Sequence, residues 1–184
     1  FVSSSYNYRD VINQSKYPYY ASKKGNTLVV PFTAEETLLV RAEAEIIKKQ
    51  YDAAVTDLNT WTAAYLNTTK NTFTKDEIIA FYKALDYNSA TAPTMKKKLN
   101  PSFTLDGGED QEMLLHHLLQ CRRVATAHEG LRWFDIRRYG IEVYRFVHDT
   151  KDRAKYTVAK TLTPGDEHTT FQIPQNVRNA GLEA

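Results

Sequence analysis

Two helices joined by almost no linker constrain this chain more than any other feature. Thr33-Ala34-Glu35-Glu36 has the form of a capping box, in which the Thr33 hydroxyl accepts from the Glu36 amide and the Glu36 carboxylate reaches back to the Thr33 amide. Leu38, Leu39, Ala42 and Ile46 then recur at the spacing of one helix face. Lys48 and Lys49 stand where cations suit the negative end of the helix dipole. A second helix is expected over about 51–66, with Ala54, Val55, Leu58, Trp61 and Tyr65 facing inward. With only a tight turn between them, the two must pack antiparallel as an αα-hairpin. A lone hairpin cannot bury both of its faces, so other helices must complete it.

Tyr51 and Ala54 after Ala42 match the small-against-large packing of a tetratricopeptide-type pair, although no second copy follows at a period of about 34 residues. Residues 1–31 read as an irregular aromatic lead-in, with Leu28-Val29-Val30 a short extended piece before Pro31. Downstream, 67–73 is a polar connection, and Thr74-Lys75-Asp76-Glu77 is a second capping box that launches a helix through Ile78, Ile79, Phe81, Tyr82 and Leu85. Residues 86–108, with Pro93, Pro101, Gly107 and Gly108, form a long loop of the kind that is functional or disordered. A fourth helix is expected over about 109–129, with Met113, Leu114, Leu118, Cys121 and Ala125 as its apolar stripe. Gly130 ends or bends it, 131–139 continues it or forms a short helix of its own, and Gly140 is a stop. Beyond an irregular or weakly extended 141–149, Tyr156-Thr157-Val158-Ala159 and Thr170-Phe171-Gln172-Ile173 alternate like strands around the turn Pro164-Gly165-Asp166, which predicts a small β-hairpin. The expected fold is mainly α: a tetratricopeptide-type helical hairpin plus further helices, long loops and a small β-hairpin near the C-terminus.

A chain of 184 residues fits one domain, 1–184, and at that size roughly 70% of the unfolded surface can be buried. Its 24 basic and 22 acidic residues leave a net charge of +2, too little for a global field toward nucleic acid or a membrane. Lys96-Lys97-Lys98 has no aromatic interleaving and reads as a solvated loop. No apolar run approaches the length of about 18 residues that spans a bilayer, and the first residues lack the pattern of a signal peptide. The chain starts at Phe1 rather than Met, which is the expectation for a mature or excised piece of something longer.

Catalytic patterns fail on inspection. His117, Cys121 and His128 share a helix face at separations of four and seven, but side by side along one helix they do not converge as a tetrahedral metal site, and no fourth ligand is spaced to help. His128-Glu129 opens like a zinc-protease motif, yet Arg132 stands where the second His is required. Arg132 between Glu129 and Asp135 is expected to hold both carboxylates ionised and lower their pKa values, the opposite of what a general acid needs. There is no phosphate-binding glycine loop and no nucleophile elbow. The reading is therefore no enzyme, no metal and no cofactor. For ligand binding, Trp61 on its helix and Tyr87 and Phe103 in the long loop are the candidate platforms, whereas Trp133 reads as core.

One stretch carries a recognisable signature. Cys121-Arg122-Arg123-Val124-Ala125-Thr126-Ala127-His128-Glu129-Gly130-Leu131-Arg132-Trp133-Phe134-Asp135-Ile136-Arg137-Arg138-Tyr139-Gly140 resembles the SusD/RagB family pattern in which an Arg-rich helix runs into E-G-x-R-W-x-D-[LI]-x-R. Leu38-Leu39-Val40-Arg41-Ala42-Glu43-Ala44 resembles the family's L-x-R-A-E-A helix, and Tyr51-Asp52-Ala53-Ala54 with Leu58-Asn59 its partner. Phe171-Gln172-Ile173-Pro174 is similar to the family's closing segment. The match spans 33–174 and covers the C-terminal half of a full-length member. Ala125 replaces the usual acidic residue and His128 the usual Phe, and the span 71–108 exceeds the family minimum.

The resemblance implies an outward-facing outer-membrane lipoprotein of Bacteroidetes that binds nutrients, mostly glycans, as a lid on a TonB-dependent, SusC-like barrel transporter. It implies no catalysis, no nucleic acid, and membrane attachment only through a lipidated cysteine that has no counterpart in this chain. It also implies a structural role, and no role as sugar ligands, for Glu129, Gly130, Arg132, Trp133 and Asp135. The competing expectation is a tetratricopeptide-type protein-interaction scaffold without a small-molecule ligand, whose peptide groove would lie on the helix pair at 33–66.

Overall fold

The computed structural model describes residues 33–127, 129–152, 155–170 and 172–181. The aromatic lead-in with Leu28-Val29-Val30, together with His128 and Phe171, lies outside the described residues. Six α-helices, a 3-10 turn and one two-stranded antiparallel sheet are present among them. The fold is mainly helical, with a small β-hairpin near the C-terminus.

Helix α1, Ala34–Ile47, starts at the expected capping box: the Glu36 amide donates to Thr33 Oγ1 at 3.2 Å, and the Thr33 amide donates to Glu36 Oε2 at 3.1 Å. Helix α2, Tyr51–Tyr65, returns antiparallel after a turn in which Lys49 adopts φ of 62°. Two partners hold the pair. The Arg41 guanidinium donates through Nε and Nη2 to both oxygens of the buried Asp57 carboxylate, at 2.6 and 2.7 Å. Asn59 then fixes the connection after α2, accepting from the Phe73 amide and donating to the Phe73 carbonyl, both at 2.8 Å. Thr62 donates to the Asn71 carbonyl at 2.6 Å. That polar connection is thus strapped to α2 before the second capping box, at Thr74 and Glu77, opens α3, Lys75–Lys83.

Helix α4, Gly108–Ala125, is the central element. Every residue from Met113 to Leu119 is buried, a run far wider than one amphipathic stripe. Burial all round requires neighbours on several sides, and α1, α2 and α3 each pack against it. Its polar residues are partnered accordingly. Gln111, 1% exposed, donates to the Ile46 carbonyl at 3.0 Å, capping the end of α1, and accepts from the Gly107 amide at 2.9 Å.

The helix ends at Ala125, short of the expected 129, and 126–127 and 129–131 are turns and bends, with Gly130 at φ of 76°. Helix α5, Arg132–Arg138, is therefore separate. Gly140 follows it at φ of 52°, where a Cβ would stand 2.2 Å from the Asn100 carbonyl oxygen. No other residue type fits that approach.

The long segment after α3 holds no helix or strand until α4, but its turns are bonded. Asn88 donates to the Lys96 carbonyl at 2.7 Å, Thr94 Oγ1 to that of Asp86 at 2.7 Å, and Asn100 to that of Tyr139 at 2.7 Å. It forms a strap pinned across the ends of α4 and α5.

The hairpin contains one of the two expected strands. Strand β1, Val143–His148, pairs antiparallel with β2, Tyr156–Leu162, with a bulge between Arg145 and Phe146. The segment read as irregular or weakly extended is thus a strand, and 172–173 is not. Val143-Tyr144-Arg145-Phe146-Val147 has the β-branched and aromatic content a strand needs. Asp149 closes the reversal by accepting from the amides of Lys151 and Asp152 at 2.7 and 3.1 Å. Pro164-Gly165-Asp166 leads instead into a 3-10 turn, Glu167–Thr169, because the Asp166 carboxylate accepts from the His168 amide at 2.8 Å. Pro174 then opens α6, Gln175–Asn179.

Gln111 is the buried clasp between the turn after α1 and the start of α4. Gln111→Leu leaves the Ile46 carbonyl and the Gly107 amide without these partners, and chemical denaturation is expected to show a loss of about 2–4 kcal/mol. An unchanged midpoint would mean that other groups close this junction.

Candidate functional site

The signature stretch meets α1 at a buried ionic junction. Glu43 lies on the inner face of α1, 6% exposed, between Leu39 and Ile46. Its carboxylate accepts from Arg122 Nη1 of α4 at 2.8 Å, from Arg138 Nε of α5 at 2.8 Å and from the Tyr139 hydroxyl at 2.5 Å. Asp135 of α5, 7% exposed, lies 3.2 Å from the same Arg122 and 3.6 Å from Arg132. Two carboxylates and three guanidiniums thus join α1 to α4 and α5, which lie far downstream in sequence.

The electrostatics follow from the partners. Burial pulls the Glu43 pKa upward, but Arg122, the Tyr139 hydroxyl and Arg138 outweigh it and hold the carboxyl below its ordinary value. Asp135 goes the other way: burial outweighs Arg122 and Arg132, so although Arg132 acts in the expected direction the net pKa is raised, where a lowered one was expected. Glu43 is sealed and its oxygens are occupied by donors, so the junction holds helices together rather than presenting a free base.

The other signature residues lie at the turn into α5 and in its first turn. Glu129 is exposed there, and its amide donates to the Thr126 carbonyl at 3.1 Å. The helix does not run through from Glu129 to Arg132, so the two do not share a helix flank. Trp133 is half-buried, and Phe134 is 62% exposed.

The three candidate platforms are not brought together. Trp61 is in the core, 4% exposed and stacked on Tyr65 at 4.5 Å between ring centroids, so it offers no open face. Tyr87, at the strap's start, donates through its hydroxyl to Glu112 at 2.7 Å and lies under the Lys96 ammonium at 4.4 Å. Phe103 carries the Arg138 guanidinium at 4.9 Å and meets the Tyr139 ring edge-on at 5.8 Å. Phe103 is half-buried, whereas Tyr87 is 36% exposed. Two open clefts have other linings. A cleft of about 220 Å³ between α1 and α5 is bordered by Leu39, Val40 and Phe134, and a broader groove of about 670 Å³ runs along the hairpin past Val147, His148 and Tyr156.

The histidine and cysteine of α4 are core residues. His117 and Cys121 are 3.9 Å apart, and burial pushes the Cys121 thiol well above the range in which it ionises. Among the described residues, no three His, Cys, Asp or Glu side chains are grouped to hold a metal ion. His116 and His117 pack against the Tyr82 ring, and burial lowers each to about 4.

Glu43, Arg122, Arg138 and Tyr139 were not singled out by sequence reasoning. A signal existed: Glu43 is four residues after Leu39 and three before Ile46, inside the apolar stripe, where a carboxylate must find a partner. No protein-family model, curated protein or solved structure matches the chain.

The two histidines set an acid limit. Their folded pKa of about 4 lies below the ordinary value of 6.5, so the unfolded chain binds protons that the folded chain refuses. Stability is therefore full above pH 6.5 and falls as pH drops toward 4, by up to roughly 3 kcal/mol per histidine. Asp135, raised, opposes this loss near its own titration, whereas Glu43, lowered, adds to it under still more acidic conditions. Thermal melts from pH 7 to 4.5 are expected to show a steep fall that His117→Leu makes shallower. A flat profile in the parent chain would contradict the burial of neutral histidines.

Proposed function

We propose that this chain is the C-terminal part of a cell-surface nutrient-binding protein of the SusD/RagB type, which captures a glycan and delivers it to a TonB-dependent, SusC-like barrel transporter in the outer membrane. In this reading the protein is not an enzyme and carries no cofactor. Its membrane attachment is a lipid anchor outside this chain, and the transporter supplies the work of import.

One observation carries the reading. The two segments with the family-like pattern, 38–44 and 121–140, lie about 80 residues apart in sequence, yet Glu43 of one bonds Arg122, Arg138 and Tyr139 of the other. Residues that carry a resemblance for architectural reasons ought to meet in this way. Asn59 of the partner motif, which pins the Phe73 backbone, and Gly130 and Gly140 at positive φ fit the same logic. The buried face of the helix pair is packed onto α4 and cannot hold a peptide, which leaves the scaffold alternative only the outer face.

The test uses the longer gene product purified from outer-membrane extracts. It is expected to copurify with a large barrel protein and to release heat with at least one member of a broad glycan panel. A soluble partner with no barrel, or a folded protein silent to the whole panel, would contradict the proposal.

A further inference from the structure

Three cations converge where the strap crosses α4 and α5. Lys97 of the strap, Arg123 from the last turn of α4 and Arg132 from the first turn of α5 line one cleft of about 210 Å³. Tyr144 and Phe146 of β1 line the same cleft. None of the three charges is fully matched. The Lys97 ammonium donates to two neutral oxygens, Asn88 Oδ1 at 2.6 Å and the Thr94 carbonyl at 2.5 Å. Arg123 has no carboxylate within ion-pair distance among the described residues. Arg132 Nη1 is buried and 3.6 Å from Asp135, too far for a hydrogen bond. Glu142, the carboxylate in the same lining, accepts from the Tyr144 hydroxyl at 2.7 Å.

Holding like charges together in a partly desolvated cleft opposes folding unless an anion joins them. The cost shows in Lys97, which burial first, and Arg123 and Arg132 after it, push down to about 8. Arg132 is likewise lowered, by burial and by Arg123 and Arg122, despite Asp135. Two guanidiniums and an ammonium suit an oxyanion, since planar forks bond its oxygens in pairs. The cleft is smaller than the 300–1,000 Å³ or so of pockets for drug-sized ligands, which limits the occupant to about one ring. Tyr144 and Phe146 add ring faces of the kind that pack against a sugar's C–H surface.

We propose that this cleft binds one acidic sugar unit, with the carboxylate or sulfate seated on Lys97, Arg123 and Arg132 and the ring against Tyr144 and Phe146. The sugar assignment rests on the nutrient-binding reading; the oxyanion chemistry stands without it. This site also gives Arg132 a second role beside its contact with Asp135.

Calorimetry on the full 184-residue chain, at constant ionic strength in chloride, tests this with glucuronate, galactose 6-sulfate, galactose and inorganic sulfate. Saturable binding of one acidic sugar is expected and identifies whether carboxylate or sulfate is preferred, with no saturation by galactose. Arg123→Gln is expected to weaken that binding at least tenfold with an unchanged melting temperature, while Arg137→Gln, on α5 but outside the cleft, leaves it intact. Silence with both acidic sugars, or equal weakening by the two variants, would overturn the site whatever the barrel copurification shows. Inorganic sulfate binding as tightly as either sugar would overturn the sugar assignment.

Discussion

The carboxylate of Glu43 is the constraint on which the arrangement of helices depends. A single buried anion on α1 organises Arg122 of α4 and Arg138 and Tyr139 at the end of α5, and Arg122 in turn reaches Asp135. Such a cluster is weak evidence for stability, because desolvating the charges offsets much of their attraction. What it does provide is position. Apolar residues on α1 could slide along α4 by a helical turn with little loss, but a carboxylate with three fixed donors accepts one register. α5, only seven residues long, could not hold its place by propensity alone.

The remaining elements depend on that register through α4. Burial of α4 from Met113 to Leu119 forces its polar residues into defined work: Gln111 closes the turn between α1 and α2, and two histidines remain neutral against Tyr82. The strap then follows from the position of α5, since the Asn100 amide bonds the Tyr139 carbonyl and the Asn100 oxygen leaves room only for Gly140. Because the strap is held there, Lys97 meets Arg123 and Arg132, and the cation-lined cleft is a consequence of the same packing.

What the sequence made legible was local. Both capping boxes formed at the expected residues, because their bonds join groups three positions apart and need no tertiary partner. The antiparallel helix pair was legible because its turn permits nothing else. The hairpin was legible only in part: Asp166 prefers a 3-10 turn, and strand pairing is a contest between distant segments that alternation alone cannot decide. The end of α4 was placed four residues too late, since the periodicity continued while the Gly130 turn intervened. Trp61, Tyr87 and Phe103 show the limit for sites. A ring's exposure is set by what folds over it: Tyr65 stacks on Trp61 and Arg138 lies over Phe103, whereas Tyr87 stays 36% exposed beneath Lys96. Lys97 read as part of a solvated run because neither arginine is near it in sequence.

A surface-exposed binding protein needs a rigid frame more than it needs chemistry, and the proposed nutrient-binding role fits a chain whose strongest polar interactions are sealed between helices. The most direct measurement is a double-mutant cycle between Glu43→Gln and Arg122→Met, read as unfolding free energies. If this junction fixes the helices, the two changes are strongly non-additive, with a coupling of about 1–3 kcal/mol. Additivity to within about 0.5 kcal/mol would show that apolar packing alone sets the register and would contradict the role assigned to Glu43.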